Sequence, residues 1–395
     1  MDFITVQKAF EILEKQIPLP TVQTLPLLAA KDAFVASNIF APIAVPPFTN
    51  AAMDGYAIRW SDWHENKTII CSGIVKAGDT QCYQLSPGEA YKIFTGAPIP
   101  EGADTVVMKE WILSDDNQMK FLDKPIQKGD HIRTLGSQTQ KNTLILNKGT
   151  KISSGIISFL STFGITNLDV YRKPKVSLVI TGDELIAPGE TLKFGQIYES
   201  NGITLTTLLD DLGIEIVKLF YTKDTFSATS ESIKAALECS DVVLITGGIS
   251  VGDFDFVQAS LQSIGINKLF YKVQQKPGKP IFFGSKISQY VFALPGNPAA
   301  VFSCFHTYVK PFLRKYMQPE GDFITFKKGT LLTPYQKKQG LTHWVKAYQE
   351  QNKLYFLQGQ ESYRMDAFSR ANALVCLPDF MEQCSEGIEL NYIDL

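Results

Sequence analysis

The chain has 395 residues, 45% of them hydrophobic and 20% charged, with a formal net charge of −2. The length favours more than one domain, and the composition is that of an ordinary globular protein. The near-neutral charge excludes a global affinity for nucleic acid or an anionic membrane, so any anion site must be local. The N-terminus, MDFITVQKAFEILEKQIPLP, has no basic stretch followed by an apolar core, so no signal peptide is expected. No run of about 18 apolar residues suggests a membrane span. Six scattered cysteines without a Cys-x-x-Cys pair read as reduced thiols, and four histidines argue against a His-rich metal site. The expected location is the cytoplasm.

Val6, Phe10, Leu13 and Ile17 recur at helical spacing over residues 5–17, which Pro18 and Pro20 end. DAFVASNIF predicts a second helix before Pro42. Residues 41–141 alternate Gly, Pro and short β-rich runs (TIICSGIV, EAYKIF, DTVVMKEWIL), which predicts a small β domain. Residues 152–164 return to a helical pattern.

From 175 onward strands and helices alternate. VSLVIT, IEIVKLFY, DVVLIT, KLFYKV, PIFFG and YVFAL read as strands. SNGITLTTLLDDLG, FSATSESIKAALEC, DFDFVQASLQSIG and residues 298–316 read as helices. Ser200 stands where an N-cap belongs and Gly213 where a helix stops. This alternation predicts a doubly wound, mostly parallel α/β domain over 175–318. After Pro319 the pattern becomes β-like, which predicts a C-terminal β-barrel-like domain over 319–395. The fold class is thus α/β and multi-domain. Residues 1–40 with 142–174 make a helical linking region.

Ligands of open α/β sheets sit beyond the carboxyl ends of the strands. Three loops fall at such ends: Thr181-Gly-Asp-Glu184, Gly247-Gly-Ile-Ser250-Val-Gly252 and Pro295-Gly-Asn-Pro298. Gly247 and Gly248 let backbone N–H groups approach a ligand, Ser250 adds a hydroxyl donor, and a following helix N-terminus favours negative charge. Taken alone, this loop is as well explained by a tight turn capped by Asp253. Asp255, further in, does not fit that role. Lys272, Lys276 and Lys279 surround a Lys-Pro-Gly-Lys-Pro turn, and clustered cations become comfortable when an anion joins them. A solvated basic turn is the plainer reading of a lysine pair alone. Asp183 and Glu184 could hold Mg²⁺ through oxygen beside substrate phosphates, or could cap a helix; Asp224 has the same ambiguity. In the small β domain, Asp54 sits before Gly in a Pro-led loop and Thr95 is the polar group of a Pro-braced one. Each is also an ordinary turn residue.

PPFTNAAMDGYA, FTGAPIPEGADTVVM, VITGDEL, TGGISVGDFDF, KPGKP and LPGNP occur here in that order. Together they resemble the molybdopterin molybdenumtransferases, the MoeA family, which includes the C-terminal domain of gephyrin. The resemblance covers nearly the whole chain. It implies insertion of molybdenum from molybdate into adenylylated molybdopterin, with Mg²⁺ and release of AMP. It places the family's acidic active-site residues on Asp54, Glu184, Asp224 and Asp255, and its threonine on Thr95. It places the substrate lysines on Lys272, Lys276 and Lys279, the Pro-Gly-Asn-Pro loop on Pro295 and Pro298, and a family serine on Ser362. Lys346 stands where the family commonly has Arg, and loses the bidentate fork. Ser137 and Gln138 replace an acidic pair usual in HIRTLGSQTQKN. The resemblance also implies a homodimer, joined through the linking region, with its active site shared between subunits. A molybdopterin adenylyltransferase and apo-molybdoenzymes are possible further partners.

Two other readings compete. A molybdopterin adenylyltransferase shares a related α/β domain with a similar Gly-Gly-x-Ser loop, but lacks the PPFTNAAMDGYA domain and the C-terminal β domain. A pterin-binding scaffold with a decayed site is favoured weakly by Lys346 and Ser137-Gln138, and disfavoured by the acids and lysines that remain.

Overall fold

The computed structural model describes residues 3–114, 118–249 and 256–395. They form two compact units, one of Met1–Thr24, Asp32–Ala36 and Asp169–Leu395, the other of Leu25–Lys31 and Ser37–Leu168.

In the first unit, Val176–Thr181, Val242–Thr246 and Gln289–Leu294 are apolar runs buried on both faces, as central parallel strands require. They pair in parallel with each other and with Ile216–Thr222. Phe282–Lys286 and Asn267–Tyr271 extend the sheet antiparallel, giving six strands. Alternate residues feed opposite cores. Leu178, Ile180, Leu244, Phe292 and Leu294 join one cluster. Val179, Val243, Ile245, Val291 and Ala293 meet Ile233, Leu237, Val257 and Leu261 of two helices in the other. This is the doubly wound α/β domain that the sequence predicts.

The helices keep their expected places with local changes. Asn201–Asp210 stops at Gly213, whose φ is 65° and whose N–H donates to the Asp210 carbonyl at 2.7 Å. Ser200 makes no side-chain capping bond. The Glu199 carboxylate instead accepts from the Gly202 N–H at 2.7 Å. The helix expected over 298–316 is three pieces: Pro298–Cys304, a π turn at Phe305–Val309, and Lys310–Met317. Pro311 lacks the N–H that a continuous α-helix needs, and the widened turn precedes it. Val6–Lys15 forms as expected, capped by Thr5 and burying Val6, Ala9, Phe10 and Leu13.

DAFVASNIF is not helical. Asp32 has a φ of 61°, and Val35 bridges Val170 antiparallel. Ala33, Phe34 and Val35 are all buried, an arrangement that extended chain against a neighbouring strand satisfies and one helix face does not.

Five strands near the C-terminus close into a barrel: Thr342–Glu350, Lys353–Phe356, Lys327–Leu331, Glu389–Asp394 and Ala373–Leu377, with the last pairing back to the first. Its Trp344, Leu374 and Ile393 share one core with Phe292, Phe305 and Phe312 of the α/β layer. Residues 175–318 and 319–395 therefore pack as one body.

A buried amide ties these layers together. Gln275 precedes Lys276 in a short strand added in parallel to Thr342–Glu350. Its Oε1 accepts from Trp344 Nε1 at 3.0 Å and from the Tyr308 hydroxyl, while its Nε2 donates to the Gly278 carbonyl at 3.0 Å. One side chain thus joins barrel, helix and lysine turn.

The second unit centres on a four-stranded sheet ordered Ile70–Val75, Glu89–Ile93, Gly55–Ile58 and Thr105–Met108. A Cβ at Gly55 would lie 1.9 Å from the Val107 carbonyl oxygen, so only glycine fits there. Ser154–Ser161 is the expected later helix, capped by Ser153. All six cysteines are free, and no helix among the described residues is long and apolar enough to cross a membrane.

Replacing Gln275 with Leu removes the acceptor of the buried Trp344 and Tyr308 donors and leaves the Gly278 carbonyl only the Cys304 thiol. Chemical denaturation is expected to show a loss of about 3 kcal/mol in unfolding free energy. A loss below about 1 kcal/mol would show that this amide is not the joint described.

Candidate functional site

A cavity of about 540 Å³ opens at the carboxyl ends of the central strands. The topology dictates its position, because parallel neighbours end side by side and their following loops converge. Glu184, Asp224, Gly247, Gly248, Pro295 and Pro298 all line it, as the sequence predicts. Ser250 and Asp255 lie outside the described residues. Three further lining residues, Tyr198, Ser200 and Asn201, were not singled out as site residues. The sequence marks them only as a Ser-Asn-Gly helix start, and the structure adds that the serine does not cap it. Asn201 Nδ2 donates to the Gly296 carbonyl at 2.8 Å, tying that start to the Pro-Gly-Asn-Pro loop.

Acids and unspent polar groups share the cavity. Asp183 and Asp224 follow neighbouring strands, and each carboxylate accepts from the other's backbone N–H, at 3.3 and 3.4 Å. Asp224 is not a cap, since Thr225 caps the helix that follows. Glu184 lines the wall beside them. Gly247 has a φ of 88°, and a Cβ there would lie 2.5 Å from the Thr181 carbonyl oxygen, so the glycine lets one strand end pack against another. Of the lining residues, Thr181 Oγ1 and Asn201 Oδ1, a donor-acceptor hydroxyl and an acceptor, are buried without a hydrogen-bond partner, as is Thr246 Oγ1 just before the Gly247 loop. Buried polar atoms in this condition mark a place where a ligand or ordered water completes the bonding.

The lysine turn stands next to the cavity, whose lining includes Pro280. Gly278, at φ 77°, packs so tightly that a Cβ would lie 2.2 Å from the Cys304 sulfur. Lys272 is held at φ 71°, a conformation that non-glycine residues seldom take. On the cavity's other flank, Asn297 Nδ2 donates to Ser362 Oγ at 2.9 Å, so Ser362 reaches the Pro-Gly-Asn-Pro loop.

Asp54 and Thr95 lie in the second unit and are brought together by strand register. Gly55 pairs with Ile93 antiparallel, so the residues just outside each strand meet. Both the backbone N–H and the hydroxyl of Thr95 donate to Asp54 Oδ1, at 2.9 and 2.8 Å. The backbone bond, then the hydroxyl, holds the Asp54 carboxyl below the usual carboxylate range, so it is ionised at neutral pH.

Residues 4–164 match the family described as the MoeA N-terminal region (domain I and II), and residues 177–315 match a probable molybdopterin binding domain. A molybdopterin molybdenumtransferase of Haemophilus influenzae is 36% identical over 79% of this chain and 77% of its own length. One from Staphylococcus epidermidis is 31% identical over 95% of this chain and 91% of its own. The crystal structure of a molybdopterin biosynthesis MoeA protein from Pyrococcus horikoshii superimposes with a TM-score of 0.84 at 29% identity, covering 99% of this chain and 98% of that one. The chain belongs to the molybdopterin molybdenumtransferase family. Membership makes it a transferase of molybdenum cofactor biosynthesis.

Lys346 is placed differently from what the sequence suggests. It is 1% exposed, and its ammonium donates to the carbonyls of Gly359, Glu361 and Arg364 at 2.8–3.0 Å. Its backbone is bonded twice to the Gln360 side chain. The side chain expected to touch an oxyanion is therefore used internally, to hold the loop that carries Ser362. Gly136 and Gln138 donate backbone N–H groups to the carbonyls of Pro46 at 2.9 Å and Val45 at 3.0 Å, which anchors the loop that carries Ser137.

Burial pushes the Lys346 ammonium down to about 8, from an ordinary 10.5. Between these values the unfolded chain binds a proton that the folded chain has released, so this group's contribution to stability rises with pH there and is least below pH 8. Lys346→Met strands three carbonyls and is expected to cost about 3 kcal/mol at pH 7. Denaturation from pH 7 to 10 should show the wild-type advantage widening above pH 8. A flat difference would mean the ammonium is not buried as described.

Proposed function

We propose that the chain inserts molybdenum from molybdate into adenylylated molybdopterin, assisted by Mg²⁺, and releases AMP. The observation that carries this reading is a single cavity that brings the carboxylates of Glu184 and Asp224 into the same space as the buried, partnerless hydroxyl of Thr181 and the Gly247-Gly248 backbone. A phosphoanhydride-bearing substrate with a divalent cation needs both kinds of surface, and an oxyanion needs the second. Family membership supplies the chemistry that such a cavity serves.

Asp183, Glu184 and Asp224 offer the hard oxygen atoms that Mg²⁺ takes. Among the described residues, no group of three His, Cys, Asp or Glu side chains is placed to hold a metal ion. A site of one or two carboxylates completed by substrate phosphates therefore fits better than an all-protein cage. Bound there, Mg²⁺ supplies charge neutralisation at the phosphoanhydride.

The remaining roles are assigned from the resemblance and, for the described residues, from where they lie. Gly247 and Gly248 offer backbone donors to the phosphates, and the resemblance gives Ser250 the same task. Lys272, Lys276 and Lys279 add positive charge next to the cavity, which phosphoryl chemistry relies on for positioning and electrostatic stabilisation. Pro295 and Pro298 fix the loop whose Asn297 bonds Ser362, and that pair receives molybdate. Asp54, kept ionised by Thr95, orients a proton-bearing nucleophile or molybdate rather than donating a proton. Asp255 provides a further carboxylate. Lys346 acts through the Ser362 loop rather than by contact. The working form is a homodimer in which Asp54 and Thr95 of one subunit serve the cavity of the other, with a molybdopterin adenylyltransferase and apo-molybdoenzymes as transient partners in the cytoplasm.

AMP release from adenylylated molybdopterin and Mg²⁺ is expected to depend on molybdate, and to fall at least about 100-fold in Glu184→Gln and Asp224→Asn. Tight pterin binding without AMP release under either condition would replace the transferase reading with that of a scaffold. Separately, mixing inactive Asp54→Ala and Asp224→Ala proteins should restore about a quarter of wild-type activity, the share of intact sites in randomly exchanged dimers. Subunit exchange without any recovery would refute the shared site.

A further inference from the structure

The N-terminal segment is bound to the lysine turn through backbone and ring. Ile4 forms a parallel bridge with Val273. Its N–H donates to the Lys272 carbonyl at 3.3 Å, and its carbonyl accepts from the Gln274 N–H at 2.8 Å. These bonds bring the Phe3 ring beneath two ammonium groups at once, with Lys279 Nζ 5.0 Å and Lys272 Nζ 6.0 Å from its centroid. The turn beneath is also closed on itself. Lys272 donates its N–H to Ile281 at 3.1 Å, and Val273 to Lys279 at 3.0 Å.

We infer that Phe3 is a positioning residue for the lysine turn, and through it sets affinity for the anionic substrate. The physical reason is pre-organisation. Two like charges seven residues apart in sequence repel one another and would separate on flexible stems. The negative face of one aromatic ring attracts both, so each ammonium is kept near the turn before any anion arrives. An anion that meets ordered cations loses less free energy in ordering them on binding. Lys272 also lies over the Tyr271 ring, at 4.9 Å, so Lys279 depends more on Phe3 than Lys272 does. The left-handed backbone of Lys272 fits the same picture, because a lysine keeps that conformation only where its surroundings hold it.

This inference rests on the lysine turn being part of the substrate site. Steady-state kinetics with adenylylated molybdopterin should be measured for Lys279→Met, Phe3→Leu, Phe3→Trp and wild type. Phe3→Leu keeps an apolar side chain but removes the ring, and Phe3→Trp keeps the ring. Phe3→Leu is expected to raise KM about three- to tenfold with kcat within about twofold, and Phe3→Trp to match wild type. Melting temperatures within about 2 °C of wild type check that the fold is intact. A Phe3→Leu variant with wild-type KM, beside a Lys279→Met variant whose KM rises, would overturn the role of the ring alone. A Lys279→Met variant with wild-type KM would remove the substrate role of the turn, and this inference with it.

Discussion

The buried amide of Gln275 is the constraint on which the first unit depends. It sits between a helix, a barrel strand and a glycine carbonyl, and it has a partner for its donor and acceptor groups in each. An amide is suited to this place because it offers acceptor and donors on one planar group. A hydrophobic residue could fill the space but would strand polar atoms on every side. The neighbouring Gly278 and Cys304 are in such close contact that the turn has almost no freedom to shift. The lysines that flank this turn are therefore carried on the most firmly fixed loop near the cavity, although their own side chains are long and flexible. Rigidity comes from Gln275 and Gly278, and charge comes from the residues on either side.

The same separation of tasks explains how carboxylates and anion donors coexist in one cavity. Parallel strands ending side by side deliver their loops to one rim. The acids come from two adjacent loops, after Thr181 and Thr222, and lock to each other through reciprocal N–H bonds. The buried hydroxyl without a partner among the lining residues is that of Thr181, at the end of the strand that delivers Asp183 and Glu184, and the Gly247-Gly248 backbone comes from the neighbouring strand end. Acids and donors are thus fixed by the same row of strand ends rather than by contacts with each other.

Much of this was legible in the sequence because periodicity reports burial. VSLVIT, DVVLIT and YVFAL announced central strands, and the loops behind them announced the site. Where packing between distant segments decides, the sequence misled. DAFVASNIF has an acceptable helical pattern, yet Ala33, Phe34 and Val35 are consecutive buried residues that pair with a strand more than a hundred positions away. Ser200 looked like a cap because local rules cannot show that Glu199 already occupies the donor. Tyr198 and Asn201 escaped notice for a similar reason: their value lies in which cavity they face. The glycines of the Gly247 loop were noticed for ligand approach, whereas the close contact they permit is with Thr181.

Lys346 shows how a buried charge can be used for structure rather than contact with a ligand. A lysine has three N–H donors, and the three carbonyls of the 359–364 loop satisfy all of them. The consequence passes to Ser362, whose loop the ammonium now holds and whose hydroxyl meets Asn297 of the cavity lining. The charge is thereby turned into order in the loop that presents a neutral hydroxyl, so the loop's conformation depends on a side chain that reaches neither Asn297 nor the solvent.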